Sequence, residues 1–231
     1  TFHPWRRRVS AVDLFKYLRP ASSTPQAEHQ PHGVHNARET LRARTVELIR
    51  PGFVSLDEAL ETAGSFAEDE ALPVRPDEIE RIVTATWDDL ADCQRDWASE
   101  GDYEKLRAAF ADLEQAGVVA RMNFACCQNC GHAEIEAERT IGKHVGYVFF
   151  HQQDAERLAG DDAELLLAFG TFAASASQTT EERAEAEHQL GRLVATTMRS
   201  NGLAVEWDGQ TSSRIAVSIS HWRKRLPFVS A

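Results

Sequence analysis

The hydrophobic pattern changes at Gly117, and this change most constrains how the 231-residue chain can fold. Between residues 38 and 117, apolar side chains recur at helical spacing in segments that turn residues separate. After Gly117, short apolar runs alternate with polar segments of helical character. Helices followed by strands that alternate with helices are typical of an α+β protein. The sequence therefore predicts an N-terminal helical segment followed by a mixed sheet with packed helices.

We expect three parts along the chain. Residues 1–37 predict an N-terminal arm and linker, because residues 20–37 hold three prolines, small polar residues and no apolar period. Residues 38–117 predict a helical subdomain, and residues 118–231 predict an α/β subdomain that carries a cysteine knuckle. No run of roughly 18 apolar residues and no secretory signal pattern is found, so we expect a cytoplasmic protein without a membrane segment.

Several helix ends are marked by specific residues. Ser55 and Glu58 form a predicted capping box, in which the serine oxygen accepts an amide proton and the glutamate reaches back. Pro76 is typical of a first helical position. Asp102 is expected to cap the next helix, and Gly117 is expected to end it in a left-handed conformation.

Five apolar segments predict the strands of the sheet. We expect these strands at residues 118–124, 147–150, 165–169, 203–207 and 214–219. In the last segment Ile215, Val217 and Ile219 alternate with other residues, so they should share one buried face. Asp154 is expected to cap a short helix after the second strand.

The net charge of −11 bears on partners. An acidic body repels phosphate backbones, so binding to nucleic acid is disfavoured. The acidic middle of the chain is either a solubilising helix face or a surface for a basic protein partner. The basic run at residues 222–225 is either a solvated end or a small anion-binding patch.

Three of the four cysteines crowd into one short segment, Cys126, Cys127 and Cys130, followed by His132. Zinc takes tetrahedral sets of sulfur and nitrogen ligands, so this segment is a candidate metal site. The preferred set is Cys127, Cys130 and His132, because neighbouring side chains in extended backbone diverge and Cys126 should therefore turn away.

Cys126 nonetheless remains a candidate ligand. A fourth ligand would come from Cys126, His144, His151 or Cys93, although Cys93 is expected to pack in the core. A regulatory disulfide and reduced structural thiols remain the alternatives to a metal.

A second candidate site follows the second predicted strand. His151, Gln153 and Asp154 lie where that strand ends and a helix begins, and ligands of α/β sheets bind at such ends. A histidine beside a carboxylate is able to act as a general base. The structural alternative is that Asp154 caps the helix and His151 bonds to backbone.

The combined motifs resemble an uncharacterised bacterial family, found mainly in high-GC Gram-positive bacteria (actinobacteria) and classed as a domain of unknown function. The segments that carry the resemblance are NFACCQNCGH at 123–132, GYVFFHQQD at 146–154, LLAFG at 166–170, VEWDG at 205–209, RI at 214–215 and WR at 222–223. The resemblance covers about residues 50–226. It implies a bacterial cytoplasmic protein and supplies no activity.

Three functional hypotheses remain open from the sequence. The first is a binding or regulatory module stabilised by zinc in the cysteine knuckle. The second is an enzyme with a His151 and Asp154 site near the knuckle. The third is a thiol redox sensor that uses Cys127 and Cys130.

Overall fold

A computed structural model describes residues 32–172 and 179–227. The described part contains seven α-helices and a five-stranded mixed sheet, so the predicted α+β class is confirmed. The helices are α1 His32–Ile49, α2 Leu56–Asp69, α3 Pro76–Gln94, α4 Asp102–Gln115, α5 Gln128–Glu134, α6 Gln152–Glu156 and α7 Thr180–Ser200. Short 3-10 helices follow α5 at Ile135–Glu138 and α6 at Arg157–Ala159. None of the described helices is long and apolar enough to span a membrane.

The sheet has the order β1-β2-β3-β5-β4. Its strands are β1 Val118–Arg121, β2 Gly146–Phe149, β3 Ala163–Thr171, β4 Ala204–Glu206 and β5 Ile215–Ile219. The pair β1–β2 is parallel and the other three pairs are antiparallel. The five predicted strands are therefore all present, with ends that differ by a few residues.

Two faces of the sheet are covered by different elements. One face packs against α4 and α7 in the largest apolar core, where the predicted buried residues Ile215, Val217 and Ile219 of β5 lie. The other face carries Phe149 against Ile135 of the 3-10 helix that follows α5. Burial on both faces explains why β2 and β3 are continuous apolar runs.

Helices α1, α2 and α3 form a separate apolar core, with Leu41, Ala63 and Val83 fully buried. Helix α1 begins at His32, so part of the predicted linker at residues 1–37 is helical, and residues 1–31 lie outside the described residues. Composition alone favoured a linker there, but packing of Ala37 and Leu41 in the core stabilises the helix. The predicted division at residues 117 and 118 stays a prediction.

The capping residues of the helices are partly as expected. The Ser55–Glu58 capping box forms, and Pro76 opens α3. Asp102, by contrast, does not cap α4: its carboxylate accepts the backbone N–H groups of Ser220 and His221 at 3.0 and 2.9 Å. The prediction was wrong because backbone N–H groups of a distant segment and the Lys105 ammonium, at 2.7 Å, engage this buried carboxylate in place of the first amides of the helix.

A close approach explains the glycine before α4. Gly101 has φ +64°, and a Cβ on it would lie 2.1 Å from the carbonyl oxygen of His221. Only glycine fits such a position, because both the backbone angle and the contact exclude a side chain.

The basic run at residues 222–225 packs against the helical part of the protein, and the anion-binding alternative stays a prediction. Trp222 packs on Phe53 with ring centroids 6.0 Å apart, and its indole N–H donates to the carbonyl of Pro51 at 3.1 Å. Arg225 donates to the carbonyls of Gln94 and Trp97 at 2.8 and 3.0 Å. The segment therefore ties the strand side of the protein to the helical core.

Candidate functional site

The register of the sheet brings three segments that are distant in sequence to the same end of the strands, which is called here the site edge. Because β1 and β2 are parallel, Arg121 pairs with Phe149, and the chain leaves both strands on the same side. Strand β3 pairs Ala168 with Phe149 of β2 and Leu167 with Ile215 of β5, so the start of β5 lies near that level too. Residues after β1, after β2 and before β5 therefore meet at this edge.

A tight turn carries the cysteines back over the end of β2. Asn123 and Ala125 both have positive φ angles, 52° and 57°. The Phe124 N–H donates to the carbonyl of Phe150 at 2.9 Å, and the Gln152 N–H donates to that of Ala125 at 3.1 Å. These bonds fix the cysteine segment beside the residues that follow β2.

The three thiols of this segment converge. The sulfur atoms of Cys126, Cys127 and Cys130 all lie within 4.8 Å of one another. The prediction that Cys126 turns away from Cys127 was wrong, because the chain bends at residues 125–127 where extended geometry was assumed. All four cysteines of the chain are free thiols. Cys126, Cys127 and Cys130 therefore form a group that is able to hold a metal ion.

The thiols of the Cys-x-x-Cys pair differ in acidity. The backbone N–H of Cys130 interacts with the sulfur of Cys127 and lowers the pKa of that thiol. Hydrogen bonds with the thiols of Cys126 and Cys127 raise the pKa of Cys130 to about 12. Cys127 is therefore the thiol that ionises first within the pair.

The other predicted ligands have different partners. The Nδ1 atom of His132 lies 3.0 Å from the Tyr147 hydroxyl, and its ring packs on Phe149. His144 is buried, and its Nδ1 accepts the backbone N–H of Thr140 at 3.0 Å. Within residues 32–172 and 179–227, neither histidine joins the sulfur group.

Cys93 is also separate from the thiol cluster. It lies half-buried on α3, where burial, followed by nearby acidic charges, raises the pKa of its thiol. Cys93 is therefore a cysteine outside the cluster, and its replacement is a control for replacements of the clustered cysteines.

A cleft of about 320 Å³ opens beside the thiols. The cysteine segment contributes Cys127, Gln128 and Asn129 to its wall. The segment after β2 and the start of β5 contribute His151, Gln153, Asp154, Arg157 and Arg214. The three residues that the sequence selected as a binding site therefore line one cleft, together with two arginines that it did not select.

Asp154 is the most deeply buried charge of the cleft, with 1% of the residue exposed. Its carboxylate accepts the Arg214 Nη1 at 2.9 and 3.1 Å, and its Oδ2 lies 2.9 Å from the Nε2 of His151. A buried carboxylate that is bonded on both sides fixes the guanidinium and the imidazole against each other.

The helix cap at this point is His151. Its Nδ1 accepts the backbone N–H of Asp154 at 3.2 Å, so His151 is the N-cap of α6 and Asp154 lies inside the helix. The prediction of Asp154 as the cap was wrong because Arg214, which is distant in sequence, engages the carboxylate. The Nε2 of the same ring lies 2.9 Å from Oδ2 of Asp154 and 3.4 Å from Nη1 of Arg214.

The electrostatics of the cleft favour a neutral imidazole. Burial lowers the pKa of His151, and the Asp154 carboxylate partly offsets this effect. The positive charges of Arg214 and Arg157 lower the pKa further. Because both ring nitrogens are already bonded, His151 is suited to positioning its neighbours more than to taking a proton from a substrate.

Comparison with known proteins places this architecture in a family. A family model described as a domain of unknown function (DUF6891) matches residues 34–226. The chain belongs to the DUF6891 family. The match begins at residue 34, earlier than the start near residue 50 that the resemblance suggested, and so includes almost all of α1.

The family description of DUF6891 assigns no activity. No curated protein and no solved structure matches this chain. What the DUF6891 site does therefore has to be argued from its thiols and its cleft.

Sequence reasoning missed four of the residues that line the cleft of this DUF6891 domain, namely Gln128 and Asn129 and the two charged residues Arg157 and Arg214. Arg214 precedes the last strand and is 60 residues from its partner Asp154, so only strand register connects them. Arg157 lies three residues after Asp154. This spacing places both side chains on one face of a helix, and it is the sequence signal that could have identified Arg157 as a cleft residue. The pairing of β3 with β5 therefore places Arg214 in the cleft.

Proposed function

We propose that this DUF6891 domain binds one zinc ion through the thiolates of Cys126, Cys127 and Cys130. The observation that carries the proposal is the convergence of three sulfur atoms within 4.8 Å of one another. Thiolates bind zinc at about 2.3 Å, and the sulfurs of a tetrahedral site are then about 3.8 Å apart. Small side-chain movements would bring the three sulfurs to that spacing.

The fourth position of the ion is left to water or to a ligand. In the part of the chain that the structure describes, no further histidine, cysteine or carboxylate joins the three sulfurs. His132 is engaged by Tyr147, and His151 is engaged by Asp154. Sites with three protein ligands and one open position are typical of zinc that interacts with a ligand, whereas purely structural zinc has four protein ligands.

The proposal favours a binding or regulatory module that works in a reducing compartment such as the cytoplasm. Zinc requires reduced thiolates, which such compartments maintain. Cys127 lines the cleft, so a ligand in the cleft would approach the ion directly. Nucleic acid is not the proposed partner, because the chain carries a net charge of −11.

Metal analysis of the purified full chain tests this proposal. We expect about one zinc per chain after expression in zinc-containing medium and purification under reducing conditions. The triple variant Cys126→Ser, Cys127→Ser and Cys130→Ser should hold none, whereas the matched control Cys93→Ser should hold as much as the wild type, because Cys93 lies outside the cluster. A reduced wild-type chain that contains no zinc and takes up none from added zinc chloride would remove the proposal.

A dithiol switch is the second candidate function, and the observation that favours it is that the sulfur atoms of Cys127 and Cys130 lie within 4.8 Å of each other. A lowered pKa at Cys127 promotes attack by its thiolate on an oxidant, and the neighbouring Cys130 can then resolve the product into a disulfide. Overall, two thiols lose two protons and two electrons, and one peroxide is reduced to two waters.

Thiol titration tests the switch on metal-free protein. Four free thiols are present before oxidation. We expect two after mild treatment with hydrogen peroxide and four again after reduction by dithiothreitol. In the Cys93→Ser control the count should fall from three to one, since the clustered thiols still react. A count that peroxide leaves unchanged would eliminate this function.

A further inference from the structure

We propose that the cleft beside the thiols binds a small oxyanion, a carboxylate or a phosphate group, through the guanidinium groups of Arg214 and Arg157. This inference goes beyond the proposed zinc site and does not depend on it, because neither arginine is a metal ligand. It rests on the way in which Arg214 is held, on the second arginine and on the size of the cleft.

Arg214 presents a prepared hydrogen-bonding edge. Its Nη1 is anchored on the buried Asp154 carboxylate at 2.9 and 3.1 Å. Its Nε and Nη2 make no hydrogen bond with any residue in the described ranges. These two nitrogens carry parallel N–H groups, the fork that binds both oxygens of a carboxylate or a phosphate. The buried anchor removes most of the side-chain entropy that binding would otherwise cost.

Arg157 adds a second positive charge to the same cleft. It is exposed and lines the cleft wall, and among the residues with described positions it has no ion pair. The charges of Arg157 and Arg214 both reach His151, because both lower its pKa in addition to the larger effect of burial. The two guanidinium groups therefore both contribute positive potential to the cleft.

The side chains that line the cleft carry a net positive charge, whereas the whole chain carries a net negative charge. Two arginines face one carboxylate, Asp154, while the chain as a whole has a net charge of −11. The amides of Gln128, Asn129 and Gln153 complete the wall and supply neutral donors. A positive cleft on an acidic protein concentrates small anions locally, whereas the surrounding surface repels large polyanions.

The volume of the cleft suits a small ligand. About 320 Å³ is at the lower end of ligand pockets, which span roughly 300–1,000 Å³. Inorganic phosphate and a short dicarboxylate fit that space, and they share the oxyanion group that the fork of Arg214 recognises.

Calorimetric titration of the full chain with inorganic phosphate and, separately, with succinate tests the proposal. We expect Arg214→Gln to raise the dissociation constant of the bound anion at least tenfold and Arg157→Gln to raise it about threefold to tenfold, since each removes a charge-assisted contact. Arg192→Gln is the matched control, because Arg192 is an exposed arginine outside the cleft. The dissociation constant of this variant for the anion should stay within twofold of the wild-type value.

Two further measurements keep the test decisive. Arg214→Lys retains the charge beside Asp154 but lacks the fork, so it should fold and still bind at least fivefold more weakly even if Arg214→Gln unfolds. Each titration is run on zinc-loaded and on chelator-treated protein, and binding to the metal-free chain separates this proposal from the zinc proposal. Binding of either anion that depends on Arg214 supports the site and assigns its ligand class. Failure of both anions to bind, or affinities that the arginine variants leave unchanged, would overturn it.

Discussion

Replacement of Asp154 by alanine is expected to lower the free energy of unfolding by about 3–5 kcal/mol. The carboxylate is 1% exposed and bonds both the Arg214 guanidinium and the His151 imidazole. Its removal leaves a half-buried positive charge without a counter-ion and takes away the oxygen that lies 2.9 Å from Nε2 of His151. Chemical denaturation, followed by circular dichroism at pH 7.5, measures the change.

The control for this prediction is an ion pair of the same length at the surface. Asp77 lies 2.9 Å from Arg75, as Asp154 lies 2.9 Å from Arg214, but its side chain is 62% exposed. Asp77→Ala should therefore cost about 1 kcal/mol or less. Equal losses for the two variants would contradict the view that burial makes the Asp154 pair important.

Cys126→Ser is expected to lower the zinc affinity at least 100-fold, and Cys127→Ser and Cys130→Ser should do the same. Loss of a partner that only supports a ligand costs roughly 10–100-fold, so loss of a thiolate ligand should cost at least the upper value. The physical reason is that each of the three sulfurs lies within 4.8 Å of the other two. Competition with a chromogenic chelator measures the affinities.

His132→Ala separates the structural ligand set from the one that the sequence favoured. The imidazole lies against Tyr147 and Phe149, so its removal should change the zinc affinity less than threefold. A variant with His132 replaced that binds zinc as weakly as Cys126→Ser would show that His132 is a ligand and that the set Cys127, Cys130 and His132 was correct.

Local signals in the sequence predicted the secondary structure well where the relevant interaction is itself local. The Ser55–Glu58 capping box and Pro76 at the start of α3 involve residues within one helical turn. The apolar alternation of β5 likewise follows from the two-residue period of a strand. Such patterns are visible without knowledge of the rest of the chain.

Predictions failed where a distant segment competed for a side chain. Asp102 opens α4 and Asp154 lies in the first turn of α6, and both were expected to cap a helix. Instead, Asp102 accepts the amides of Ser220 and His221, and Asp154 binds Arg214. Both buried carboxylates accept hydrogen bonds from segments 60 or more residues away along the chain, and Asp102 also accepts one from Lys105 of its own helix at 2.7 Å. Cap propensity describes only the nearest few residues.

The amino-acid sequence determined the helices, the five strands, the clustering of three cysteines and the proximity of His151, Gln153 and Asp154, because each depends on short-range spacing. The tertiary structure alone decided that Cys126 joins Cys127 and Cys130, and that Arg214 completes the cleft. The first depends on the turn that follows β1, where Asn123 and Ala125 are left-handed and the chain bends at residues 125–127, and the second depends on the register of β5 against β3. Backbone handedness at single residues and pairing between distant strands are fixed by the packed core, so no local pattern records them.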